Sequence, residues 1–169
     1  SFADWQSLLD RLRAGQVGTL LVWDANPVYT LPGFAHAARN TFIASFSSPL
    51  DETTALASLN LPTHMPLEDW GDDVPEPAPP NSVWTLQQPL LSPLHDTRGF
   101  IDLILLLGQE LGSALPWPTF KDALRATAQT LPGAQPDFER FWTALLQHGG
   151  YFGPASPAQP LPRGAAPTS

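Results

Sequence analysis

The chain has 169 residues, a length that suits one domain or one domain with a tail. Hydrophobic residues make up 43% and charged residues only 14%, enough apolar material for a core and a low-charge surface suited to coverage by other protein. The formal net charge is −8, from 16 acidic against 8 basic residues, which argues against nucleic acid and an anionic membrane surface as partners.

From Phe2 to Ala14 the apolar residues Trp5, Leu8, Leu9 and Leu12 recur at helical spacing, and Gly15 follows as a stop. Thr19-Leu20-Leu21-Val22-Trp23 is a continuous apolar run, the pattern of a buried parallel strand, and Asp24-Ala25-Asn26-Pro27 ends it with a turn signal. Gly33 to Arg39 suits a short helix, Thr41 to Phe46 a second strand, Asp51 to Ala57 one or two helical turns, and Leu59-Asn60-Leu61 a third strand stopped by Pro62. This alternation predicts an α/β fold: a doubly wound, mostly parallel sheet with helices on both faces.

Thr63 to Asn81 holds five prolines and five acidic residues and is predicted as an irregular acidic surface loop. Ser82 to Leu86 is predicted as one more strand, and Arg98–Leu111, Thr119–Leu131 and Pro136–His148 as three helices. Gly153 to Ser169 has five prolines among its 17 residues and reads as a Pro-rich tail or linker. The expected organisation is an α/β domain over 1–152 and a tail over 153–169. The chain has no initiating Met and reads as a fragment of a longer protein. No signal peptide is visible at Ser1, and the apolar run Phe100 to Gly108 contains Asp102 and is too short to cross a bilayer, so direct membrane insertion is not expected.

The sequence contains no cysteine, which excludes disulfides, thiol nucleophiles, cysteine zinc sites and iron–sulfur ligation within these residues. His36, His64, His95 and His148 fall in no metallopeptidase spacing, no Ser sits in a nucleophile elbow, and Gly15 and Gly18 precede the first strand, whereas phosphate-binding glycines follow one. No catalytic residue is expected. His64 with Glu68 or Asp72 supplies metal-ligand types, but a metal needs three or four convergent ligands, and a proline-rich loop sets no register for them. No metal site is expected.

Ligands of doubly wound sheets sit beyond the carboxyl ends of the strands. Asn26 is therefore placed where a cofactor or partner is touched; its plain reading is an Asn-Pro turn. Trp5, Trp23 and Trp142 fall in regular elements and are predicted as core. Trp117, between Pro116 and Pro118, reads as a helix cap. Trp70 and Trp84, with Asp72, Gln87 and Gln88, place aromatic anchors beside a charged rim and read as a partner-docking surface.

The run Leu20-Leu21-Val22-Trp23-Asp24-Ala25-Asn26-Pro27-Val28-Tyr29-Thr30-Leu31-Pro32 resembles the strand and turn V-x-G-x-N-P-x-x-x-x-P of the third domain of molybdopterin oxidoreductases. Asp51-Glu52-Thr53, through Ala57 to Leu61-Pro62, is similar to that domain's T-E-T-A…A-D-V-V-L-P, and Glu68-Asp69-Trp70-Gly71-Asp72 to its E-x-x-G loop. Leu86-Gln87-Gln88-Pro89, Pro93-Leu94 and Asp96-Thr97-Arg98 resemble a narrower group, the iron–sulfur (molybdopterin-like) B subunit of bacterial alternative complex III. The similarity is clear from Val17 to Leu107 and looser in the later helices.

The resemblance implies a domain that holds one guanosine arm of a bis-pterin cofactor. This sequence departs from the family at three positions. The glycine after the first strand is Asp24, the acidic residue near the end of the second strand aligns with Ser47, and the aspartate before the third strand is Ser58. In the alternative complex III subunit the resemblance implies a molybdoenzyme-like fold without molybdenum, with clusters in a separate ferredoxin-like part. The expectation is therefore a non-catalytic structural module of a membrane-associated, quinol-oxidising electron-transfer complex. It would carry no cofactor itself, with iron–sulfur clusters elsewhere in the parent. Its partners would be other domains of the parent chain and other subunits of a respiratory complex, at the periplasmic face of the bacterial inner membrane. The alternative is a molybdopterin-guanine-dinucleotide-binding domain of an active molybdoenzyme of the polysulfide or thiosulfate reductase type, in which Asn26, Thr53 and Glu68 touch the pterin arm.

Overall fold

The computed structural model describes residues 2–75 and 81–155. These divide into two compact units. The first runs up to Asp69 and resumes over Pro89–Asp122; the second takes Trp70–Gln88 and the chain from Ala123 onward.

The first unit opens with α1 (Phe2–Arg13). Gly15, at φ 68°, ends it in a Schellman turn: Gln16 N donates to Arg11 O and Gly15 N to Leu12 O, both at 3.0 Å. Three parallel strands follow in the spatial order β1 (Thr19–Val22), β2 (Phe42–Ser45), β3 (Leu59–Asn60). Leu20 pairs with Ile43, Leu21 with Ala44 and Val22 with Ser45; Ala44 in turn pairs with Leu59. Between the strands lie three short helices, α2 (Pro27–Thr30), α3 (Phe34–Ala37) and α4 (Glu52–Leu56). The three strands and their parallel order are those expected from the sequence. Helix α2 replaces the simple turn expected at Asn26-Pro27, because Asn caps a helix and Pro is pre-set for its first position.

One face of the sheet carries the core. Leu9 and Leu12 of α1 and Phe34 and Ala37 of α3 pack on Val22 and Ile43, with Leu20, Val28, Leu31 and Ala57 around them. The other face is met by α5 (Phe100–Glu110), so helices lie on both faces of an α/β sheet. Phe100 stacks on Trp23 at 4.3 Å between centroids and meets Phe46 edge-on at 5.1 Å. Trp23, expected in the core, is half exposed and stacks on Phe100. Trp5, also expected in the core, lies exposed, because Leu9 and Leu12 define the buried stripe of α1.

The second unit is built on an antiparallel sheet, in the order β4 (Gly71–Asp73), β5 (Asn81–Gln87), β6 (Gly150–Ala155). Helix α7 (Phe138–His148) packs on β5 and β6 and buries Trp142 and Leu145; α6 (Phe120–Gln129) buries Leu124 and Ala128 and sets Arg125 over the Trp142 ring, and Trp84 of β5 is buried too. Asp137 caps α7, and Gly149 at φ 74° ends it and turns the chain into β6. At Gly150 a Cβ would fall 2.3 Å from Trp84 O, so the close approach of β6 to β5 requires glycine there.

Three expectations change here. The acidic loop is not wholly irregular, since it holds a 3-10 turn at Pro66–Glu68 and strand β4. The strand expected at Ser82–Leu86 exists as β5, but in this antiparallel sheet and not in the parallel one. Strand β6 runs through Gly153 to Ala155, inside the expected tail; Pro154 is tolerated because β6 is an edge strand. The rest of the expected tail, 156–169, lies outside the described residues. Among the described residues no helix is long and apolar enough to cross a membrane.

Candidate functional site

The carboxyl ends of β1 and β2 are where this fold places a ligand. Beyond β1 the chain passes through Asp24 at φ 50°, a left-handed conformation that favours glycine and that a short polar Asp tolerates. Its side chain is exposed. The position that is glycine in the resembling family is thus one whose backbone calls for it.

Asn26 caps α2, and its Oδ1 accepts from Tyr29 N at 3.3 Å and from Thr53 Oγ1 at 2.8 Å. Its Nδ2 donates to Glu52 Oε2 at 2.6 Å. Thr53 Oγ1 in turn accepts from Val28 N at 3.2 Å. The result is a polar staple that ties the turn after β1 to the first turn of α4. Helix α4 is held by its own capping box, in which Asp51 Oδ1 accepts from Thr54 N at 2.7 Å and Thr54 Oγ1 accepts from Asp51 N at 2.6 Å. The Glu52 carboxyl is held below the usual carboxylate range, first by the Asn26 amide and then by a backbone N–H.

Thr53 is 0% exposed and its hydroxyl both donates and accepts. It has no surface to touch a pterin arm. Asn26 keeps one amide hydrogen uncommitted. Glu68 bonds to other partners than this staple: its Oε1 accepts from Leu94 N at 2.9 Å and its Oε2 from Met65 N at 3.1 Å. Those backbone donors, Leu94 first, lower its pKa. The carboxylate therefore fastens the segment before β4 to the chain after β5. Beside it, a Cβ at Gly99 would fall 2.7 Å from Asp69 Oδ2, so glycine lets that carboxylate lie against the start of α5. The structure thus bonds Asn26 to Thr53, bonds Glu68 to a different set of partners, and engages all three internally. Each of the three thus spends polar atoms on hydrogen bonds within the chain.

Ser47 and Ser58, where the family has acidic residues, also bond locally. Ser47 Oγ donates to Pro49 O at 3.0 Å, and Ser58 Oγ accepts from Ile43 N at 3.4 Å. Among the described residues no group of three His, Cys, Asp or Glu is arranged to hold a metal ion. His64 Nδ1 is buried without a hydrogen-bond partner, while His64 N donates to Arg98 O at 3.1 Å.

In the second unit, the residues expected to dock a partner separate into two kinds. Trp84 is 7% exposed and its Nε1 donates to Asp72 Oδ2 at 2.8 Å, stitching β5 to β4. Its expected place at a docking surface is corrected: the indole belongs to the core. Trp70 is half-buried, tilted against Trp142 at 6.1 Å. Asp72, Gln87 and Gln88 are exposed. Glu52 is the residue that reading the sequence passed over; its signal was its place in Asp51-Glu52-Thr53 at a helix start, where a carboxylate is favoured.

No family model matches the chain. Its sequence is related to molybdopterin-type oxidoreductases. It is similar to the menaquinone reductase, molybdopterin-binding-like subunit of Nitratidesulfovibrio vulgaris, at 36% identity over 73% of this chain. The chain spans 18% of that relative's length.

Proposed function

We propose that this chain is a structural α/β module of a quinone-linked electron-transfer complex, and that the nucleotide-arm site of its fold is closed. The observation that carries the reading is the Asn26–Thr53–Glu52 staple, which occupies the carboxyl edge of the sheet with its own hydrogen bonds. Asp24 adds a carboxylate there. Two unit charges about 4 Å apart near a protein surface interact by roughly 4 kcal/mol before screening, so a diphosphate at this edge is disfavoured. The similarity to a menaquinone reductase subunit supports the electron-transfer setting and the presence of other subunits as partners. The motifs from Leu86 to Arg98 favour the alternative complex III side of the superfamily, with iron–sulfur clusters outside these residues and a periplasmic, membrane-associated complex. Within it, Trp70 with the exposed Gln87 and Gln88 is the proposed docking surface.

The test is elemental analysis of the purified full-length gene product, together with calorimetric titration of guanosine diphosphate. Absent molybdenum and absent nucleotide binding are the expected results. One molybdenum per chain overturns the reading in favour of a molybdopterin-guanine-dinucleotide domain.

A further inference from the structure

We draw no further inference here: the strongest candidate, the apolar surface patch of Met65, Leu67, Leu90, Leu91 and Leu94 on the two loops that the Glu68 carboxylate clasps together, carries nothing because nothing in the structure shows what covers it.

Discussion

Thr53 Oγ1 donates to Asn26 Oδ1 at 2.8 Å, which joins two residues 27 positions apart in the chain. Each alone reads as a ligand contact at the carboxyl edge of a nucleotide-binding sheet. Bonded to each other, with Thr53 fully buried, they close the loop after β1 onto α4. Thr53→Val keeps the shape and removes the hydroxyl, leaving Val28 N–H and Asn26 Oδ1 short of a partner. The expected cost is about 1–3 kcal/mol in urea denaturation, whereas Thr53→Ser stays within a fraction of that. An unchanged midpoint in the valine variant means that the staple carries no stability.

Asp24 holds a left-handed backbone at φ 50°. Asp24→Gly should stabilise the first unit by about 1 kcal/mol, through relief of that conformation. Asp24→Ala removes the same charge but keeps the strain, and should give no gain. Equal gains in both variants would assign the effect to charge and not to the backbone.

The sheet of the first unit was legible because Thr19–Trp23 and Thr41–Phe46 are short apolar runs set between helical patterns. The second sheet was not. Gly71-Asp72-Asp73 has no strand-forming residue, and Gly150–Ala155 contains two glycines and a proline; both are strands because β5 lies between them and supplies the pairing. The site was half legible. Position along the fold picked out Asn26, and the family resemblance Thr53, but partners 25 to 27 residues away turn their polar atoms inward, and no local pattern records that. Trp84 misled for a similar reason: its exposed-looking sequence context is overridden by the packing of α7 on β5 and by the bond to Asp72, 12 residues away.

Glu68 gives a pH dependence of defined sign. Its folded pKa is depressed by the backbone N–H groups of Leu94 and Met65, so its contribution is present above the unfolded carboxylate value. That contribution is lost as pH falls through the lower folded value. Glu52, depressed by Asn26, acts in the same direction. Urea midpoints measured from neutral pH into the acid range should fall below the ordinary carboxylate pKa. Glu68→Gln should start lower and fall less steeply. A Glu68→Gln profile parallel to the parent's would remove the carboxylate clasp as the cause.

Trp84 and Trp70 separate a core role from a docking role. Trp84→Phe keeps the ring and loses the bond from Nε1 to Asp72, for an expected cost of about 1 kcal/mol. Trp84→Ala empties the core and should cost about 3–5 kcal/mol. Trp70 is only half-buried, and its ring contact with Trp142 is of the kind worth about 0.5–1.5 kcal/mol. Trp70→Ala should therefore lower stability modestly. Its larger effect should appear in assembly of the full complex, where loss of an aromatic anchor costs about 2 kcal/mol or more, a fall of more than tenfold in subunit affinity. Thermal unfolding and subunit co-purification read the two effects separately. Normal assembly together with a collapse in stability as large as that of Trp84→Ala would place Trp70 in the core and remove it from the docking surface.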